Sequence, residues 1–279
     1  LPLTDTEVER IVRLVEESDV RAVAIALLWS FENPAHEMAL KHAIEVNLPD
    51  VFVTCSYEID PTMLEYERTS TTVVNAYLGP LISRYFDLVE KRVAEMGLPE
   101  PRIMQSNGGL ASIKAASRRP VALLESGPAA GVAACVALAA EMGERNVLAV
   151  DMGGTSFDVA LIVDGTPAQH IETDIGGYIV RVPMLDIRSI GAGGGSIAWI
   201  DEHGGLRVGP QSAGSQPGPV CYGRGGTSPT VSDANAMLGY LQDLTGGTLQ
   251  LDIDGARRAL RDQIGERLGI DALGAASGI

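Results

Sequence analysis

The feature that most constrains this chain is the octapeptide Asp151-Met152-Gly153-Gly154-Thr155-Ser156-Phe157-Asp158, set between two apolar runs. Val147 to Asp151 reads as one strand and Phe157 to Val163 as another, so the glycines must turn the chain between neighbouring strands. Glycines at such a turn let backbone N–H groups approach an anion closely. Thr155 and Ser156 add hydroxyl donors for phosphate oxygens. Asp151, at a strand end, suits Mg2+ held through water, because magnesium keeps several of its waters. Asp158 can orient a second water or close the loop. The same residues also suit an ordinary glycine hairpin whose aspartate caps a turn; the apolar strands on both sides favour the phosphate reading.

Two more segments are glycine-rich. In Gly191-Ala192-Gly193-Gly194-Gly195-Ser196, serine stands where a dinucleotide fingerprint needs its third glycine, and Ile197 to Ile200 reads as strand, which excludes a Rossmann loop. The segment suits either a loop packed on a flat ligand such as adenosine or a bulged turn. Glu125 to Gly131 reads as a strand-to-helix turn with Pro128 in an N1-like position. Ser126 and Gly127 then either face phosphate at a helix N-terminus or serve close helix packing.

Composition narrows the function classes. At 279 residues the expectation is about two domains. The formal charge of −15 and the lack of a Lys/Arg cluster exclude nucleic acid and anionic lipid as partners. The longest uncharged, apolar-rich run, Ser126 to Ala140, falls short of the roughly 20 residues a membrane helix needs. Three cysteines without CxxC spacing exclude a disulfide scaffold and a structural zinc site, and fit a reducing cytoplasm. Cys221 reads as structural, and His36, His42, His170 and His203 share no metal-ligand spacing. A start at Leu1-Pro2-Leu3 without Met leads us to expect a fragment of a longer protein.

Along the chain, residues 5–18 read as an amphipathic helix with Val8, Ile11, Val12 and Val15 on one face. Val20 to Trp29 reads as a buried strand, Pro34 to Val46 as a helix and Val51 to Cys55 as a strand, which together predict a βαβ crossover. Thr62 to Met96 reads as helical, with a break near Arg68. Val73, Val74, Tyr77, Leu81, Tyr85, Leu88 and Val93 mark its expected buried face. Arg102 to Gln105 and Val121 to Leu124 read as short strands, and Pro128 to Met142 as a helix. Val208 to Pro229 reads as an irregular Gly/Pro loop, and Ser232 or Asp233 as the cap of a last helical region. Glu67 to Thr72 is polar enough to reach a substrate or simply to cap a helix with surface ion pairs. Thr230 to Asp233 suits a helix cap.

Taken in order, these segments resemble the ATPase superfamily of actin, sugar kinases and heat-shock chaperones. More narrowly, Glu67 to Tyr77, Gln105 to Gly109, Ser126 to Gly131, Asp151 to Asp158, Ser189 to Ser196 and Gly218 to Gly223 look like the hydantoinase A/5-oxoprolinase family. The resemblance implies an α/β protein with actin-like (ribonuclease H-like) ATPase lobes, the N-terminal lobe being incomplete. Residues 1–60 would be the tail of the N-terminal domain, 61–145 a helical segment and connecting helix, and 146–279 the second lobe.

The family uses ATP and Mg2+ to open a cyclic amide such as hydantoin or 5-oxoproline by phosphorylating the carbonyl oxygen; related members are subunits of ketone carboxylases. Carried over, Asp151 and Asp158 would serve catalysis and the metal. Gly153, Gly154, Thr155 and Ser156, with Ser126 and Gly127, would bind phosphate, and Gly191, Gly193, Gly194 and Gly195 would line the adenosine site. A hydantoinase B-type partner subunit is implied. The family also carries an earlier Asp-x-Gly-Gly-Thr loop that this chain lacks, so the chain alone is expected to be inactive. A nucleotide-binding scaffold is the non-enzymatic alternative.

Overall fold

The first 25 residues set the frame of one half of the chain. The computed structural model describes residues 3–244 and 249–279. Helix α1 (Asp5–Glu17) begins at a capping box, in which Thr4 accepts from the Glu7 N–H and the Glu7 carboxylate accepts from the Thr4 N–H. Val8, Ile11, Val12 and Val15 pack onto a core that includes Leu40 and Ile44 of α2 (Ala35–Asn47). Strands β1 (Ala22–Ile25) and β2 (Phe52–Cys55) pair in parallel, with Ala22 opposite Phe52 and Ile25 opposite Cys55. The predicted βαβ crossover is therefore present.

The expected strand from Val20 to Trp29 is cut short after Ile25 for a visible reason. The Leu27 N–H donates to the Glu37 carboxylate at 2.7 Å, and Trp29 turns the chain with φ of 61°. Glu37 is fully buried and also accepts from the Ser56 hydroxyl at 2.7 Å and the Tyr57 N–H at 3.2 Å. One carboxylate thus ties the ends of β1 and β2 to α2, just before α3 (Ser56–Ile59).

Helix α4 (Glu65–Glu95) runs unbroken through Arg68. The Thr71 and Thr72 hydroxyls bond back to the carbonyls of Glu67 and Arg68, and the Arg68 guanidinium donates to the carbonyls of Thr62 and Leu27. The face pressed on β1 and β2 is polar or small: Arg68, Thr71, Thr72, Asn75, Ala76 and Gly79. A Cβ on Gly79 would lie 2.3 Å from the Phe52 ring, which explains the glycine. The expected buried face is corrected accordingly: Val73, Tyr77, Leu81, Tyr85 and Leu88 are all exposed, and only Val74 packs against a buried cluster.

The β3 (Ile103–Met104) and β4 (Leu110–Ala111) pair precedes α5 (Ile113–Arg118). Pro120–Leu123 is a 3-10 turn, not the expected strand. Pro120 brings a fixed φ and no N–H, and the Val121 N–H goes to the Asn75 side chain instead of a sheet neighbour. Helix α6 (Ser126–Met142) starts two residues before Pro128, which its first turn tolerates, and stops at Gly143 with φ of 74°.

The chain divides into two compact units, Leu1–Val147 with Leu161–Asp186, and Leu148–Ala160 with Ile187–Ile279. Strands β5 (Val147–Met152) and β6 (Phe157–Val163) flank the glycine turn as predicted. Short strands complete the first unit: β7 (Thr166–Pro167), β8 (Gln169–His170), β9 (Thr173–Ile175), β10 (Tyr178–Val180) and β11 (Met184–Leu185). Strand β10 pairs with β9 and β11 with β8, both antiparallel.

In the second unit β12 (Ile187–Ile190) pairs antiparallel with β6, and β13 (Ser196–Ile200) with β14 (Leu206–Ser212). Strand β14 takes up the start of the segment expected to be irregular. The helices α7 (Val231–Met237), α8 (Ile253–Leu260), α9 (Glu266–Leu268) and α10 (Ala272–Gly278) follow, and Ala234, Leu260, Ile264, Ala275 and Ala276 form their shared core with Ala198. Among the described residues no helix is long and apolar enough to cross a membrane.

Glu37→Ala strands the Leu27 and Tyr57 N–H groups in the interior. We expect it to lower the free energy of unfolding by about 3 kcal/mol, read from urea denaturation, and a loss within error of zero would remove Glu37 from this role.

Candidate functional site

The turn between β5 and β6 closes on itself, the Gly153 N–H donating to the Ser156 carbonyl at 2.9 Å. Strand β12 pairs with β6 so that Ser189 stands opposite Asp158 and Ile190 opposite Phe157. The chain leaving β12 therefore arrives directly at the turn. There the Gly194 N–H donates to the Gly153 carbonyl at 2.9 Å and the Gly195 N–H to the Gly154 carbonyl at 2.7 Å. The first two glycine motifs of the sequence thus form one constellation, docked backbone to backbone.

The glycines are required by that close approach. A Cβ on Gly193 would meet the Ser156 nitrogen at 2.6 Å and the Gly153 oxygen at 2.7 Å. One on Gly195 would meet the Gly154 oxygen at 2.8 Å. Gly193 and Gly195 are buried, whereas Gly191 is exposed with open space where a Cβ would stand. Gly154 likewise has open space on its Cβ side.

What the turn offers to solvent is a set of donors. Gly153, Gly154 and Thr155 are exposed. Among the described residues, the N–H groups of Gly154 and Thr155 and the hydroxyls of Thr155 and Ser156 have no hydrogen-bond partner within the chain. Consecutive unpaired donors at a glycine turn are the kind of arrangement that suits an anion. Asp151 is exposed near the end of β5, and Asp158 is half-buried and accepts from the Ser189 hydroxyl. No cluster of three acidic, His or Cys side chains able to hold a metal occurs among the described residues. Two carboxylates and two hydroxyls suit a magnesium held largely by water and by a ligand's own oxygens, not an all-protein cage.

Behind the second loop sits a buried carboxylate that the sequence showed only as part of a helix cap. Asp233 is fully buried. It accepts from the Cys221 N–H at 2.6 Å and from the Thr230 N–H and hydroxyl, each at 2.8 Å. Thr230, not Ser232 or Asp233, is the cap residue of α7, with Asp233 closing a capping box. The next N–H but one, on Ser232, donates to the Gly194 carbonyl at 2.7 Å, so the cap also holds the glycine loop. The Thr-x-x-Asp spacing was the available signal; that its aspartate would also gather the 220–221 backbone was not visible.

The remaining candidates belong to other elements. Ser126 and Gly127 belong to the first unit, in the first turn of α6. In the Glu67–Thr72 segment, Arg68, Thr71 and Thr72 are interior ties of α4. The Cys221 thiol is fully buried; burial, and then the neighbouring Asp233 charge, raise its pKa well above the ordinary 9.0, which fits a structural residue. Cys55 is pushed up to about 12, by burial first and then by Glu37.

The hydantoinase/oxoprolinase family profile matches residues 68–279. The chain belongs to that family. Within it, the chain is 46% identical over 281 residues to caprolactamase subunit alpha of Pseudomonas jessenii, covering all of this chain and 40% of that protein. It is 39% identical over 287 residues to the acetophenone carboxylase gamma subunit of Aromatoleum aromaticum, covering 99% of this chain and 39% of that one. The crystal structure of the ATP-dependent caprolactamase from Pseudomonas jessenii superposes with a TM-score of 0.82 at 45% identity, over 99% of this chain and 40% of that chain. The hydantoinase/oxoprolinase chain described here therefore spans about two fifths of the length of these relatives, and its mixed α/β fold is that of the caprolactamase over the shared part.

Gly193→Ala forces a methyl group into the Ser156 and Gly153 backbone. We expect a loss of about 2 kcal/mol or more in stability, whereas Gly191→Ala, with room for the methyl, stays near wild type in thermal unfolding. Equal effects at the two positions would contradict the docked arrangement.

A thiol titration of the native chain at pH 8 is expected to label Cys135 alone, because the raised pKa and burial of Cys55 and Cys221 keep both as protonated thiols. The latter two should react only on unfolding; a fast-reacting Cys221 would contradict its structural assignment.

Proposed function

We propose that the chain is the part of an ATP-dependent, cyclic-amide-opening enzyme that carries one phosphate loop of an actin-like nucleotide site. The observation that supports this most is the pair of unpaired N–H groups at Gly154 and Thr155, on a turn pinned from behind by Gly194 and Gly195. Family membership and the ATP dependence named for the superposed caprolactamase point the same way. Bound ATP would supply an activating phosphoryl group for a poor electrophile, the amide carbonyl, with Mg2+ neutralising charge on the phosphates.

The residues of this chain would bind and orient. Gly154 and Thr155 donate backbone hydrogen bonds to phosphate oxygens, and the Thr155 and Ser156 hydroxyls add two more. Asp151 and Asp158 hold metal-bound water, Asp158 being oriented by Ser189. The exposed edge of the second loop at Gly191 borders the adenosine, while Gly193, Gly194 and Gly195 fix the loop's position. The substrate would be a lactam or related ring amide, and the working enzyme would include a second subunit of the hydantoinase B type, in a reducing cytoplasm. A second reading, an ATP-using subunit of a ketone carboxylase, is favoured by the similarity to the acetophenone carboxylase gamma subunit.

Calorimetry on this chain is expected to show magnesium-dependent ATP binding, weakened about tenfold by Thr155→Val, or about 1.4 kcal/mol, the scale of one hydrogen bond to a charged acceptor. Phosphate release with caprolactam, hydantoin or 5-oxoproline is expected to be absent in the chain alone. Failure to bind ATP would contradict the phosphate site. Turnover by this chain, abolished by Asp151→Ala, would contradict the expectation that the chain alone is inactive. Phosphate release by the whole enzyme that depends on bicarbonate and a ketone would favour the carboxylase.

A further inference from the structure

The two outward donors of the glycine turn are the ends of longer hydrogen-bonded chains. A peptide unit joins one residue's carbonyl to the next residue's N–H. A unit that accepts at its carbonyl and donates from its N–H is polarised from both sides and passes that polarisation on. The Ser232 N–H donates to the Gly194 carbonyl at 2.7 Å, and the N–H of that same peptide, on Gly195, donates to the Gly154 carbonyl at 2.7 Å. The N–H that shares a peptide with the Gly154 carbonyl is the unpaired Thr155 donor. A second chain runs from the Ala213 N–H to the Gly195 carbonyl at 2.8 Å, from the Ser196 N–H to the Gly193 carbonyl at 2.9 Å and from the Gly194 N–H to the Gly153 carbonyl at 2.9 Å. It ends on the unpaired Gly154 donor.

The first chain begins in the opening turn of α7, where N–H groups have no partner within the helix. The Thr230 hydroxyl accepts from the Asp233 N–H at 3.3 Å, and the Asp233 carboxylate is engaged by Val220, Cys221 and Thr230. The Ser232 N–H goes instead to the glycine loop. The approach is close: a Cβ on Gly194 would lie 2.8 Å from the Ser232 hydroxyl oxygen, and one on Gly195 would lie 2.8 Å from the Gly154 carbonyl oxygen. We propose that Ser232 is a positioning residue whose backbone N–H, through the Gly194–Gly195 peptide, holds and polarises the Thr155 donor, an assignment that rests on the phosphate reading of the turn. Polarisation strengthens each hydrogen bond of such a chain by roughly 10–30%, so its loss weakens a site that relies on a bond to charged phosphate about threefold.

Lactic acid incorporated at position 232 puts an ester oxygen where that N–H stands, and Ser232→Ala is its reference, differing in that one group. Ser232→Pro removes the same N–H while keeping an amide, at a first-turn position that tolerates proline, and serves where the ester fails to fold. In the ligand-free chain the Gly195 amide nitrogen, which loses the bond at its own carbonyl, is expected to move upfield. The Thr155 nitrogen is expected to follow by a smaller amount, with Gly154, on the other chain, moving least. Calorimetry is expected to show Mg2+–ATP bound about threefold more weakly than by the reference. An unmoved Thr155 nitrogen, equal movement at Gly154 and Thr155, or an unchanged ATP affinity overturns the proposal. If no form of the chain binds ATP, the phosphate reading fails, and the ligand-free nitrogen shifts still decide whether Ser232 acts on Thr155.

Discussion

The second unit depends on two hydrogen bonds between glycines. By donating from Gly194 and Gly195 to the carbonyls of Gly153 and Gly154, the chain turns the inner side of the first loop into a satisfied surface. The donors at Gly154 and Thr155 are left facing outward. Backbone can approach backbone this closely only where no Cβ intervenes, which is why both loops are glycine at the contact. A turn held only by its own Gly153 to Ser156 bond would be free to rearrange; one pinned on two carbonyls presents its donors in a fixed array. Preorganised donors of this kind bind an anion without first having to be ordered. The Ser232 N–H and the buried Asp233 extend the same logic outward, each tying a loop to a helix start by way of the backbone.

The first unit relies on buried polar side chains instead. Glu37 holds the ends of β1 and β2, Arg68 bridges the carbonyls of Leu27 and Thr62, and Asn75 connects Thr54, Arg118 and Val121. Apart from the bonds to the Ser56 and Thr54 hydroxyls, these hydrogen bonds go to backbone groups that a two-stranded parallel sheet cannot satisfy by itself. This is also why α4 is polar on its inner side. The helix covers strand ends and loop carbonyls, so its interior must supply donors and acceptors, and its apolar residues are displaced to the opposite face.

That displacement marks the limit of what was legible in the sequence. Periodicity located α4 to within a few residues, yet assigned Val73, Tyr77 and Leu81 to the core, because apolar spacing identifies a stripe and not what lies against it. The βαβ crossover, the β5–turn–β6 segment and α6 were legible, since capping residues, glycine turns and apolar runs act locally. The early end of β1 was not, because it depends on Glu37, ten residues beyond the Leu27 N–H that it captures. In the site, the two glycine motifs could be read singly, but their union could not. It arises from the β6–β12 register, which puts Ser189 beside Asp158 and delivers Gly193 onto the turn. Cys221 was legible as structural, and its burial against Asp233 supplies the cause.

The central proposal is that Gly153 to Ser156 forms an anion cradle held by Gly194 and Gly195. Backbone amide chemical shifts during a titration of the labelled chain with Mg2+–ATP test it most directly. The account predicts that the largest changes fall on the Gly154 and Thr155 amides, with smaller ones at Gly194 and Gly195. Saturable changes confined to other segments, with those four amides unmoved, would contradict it.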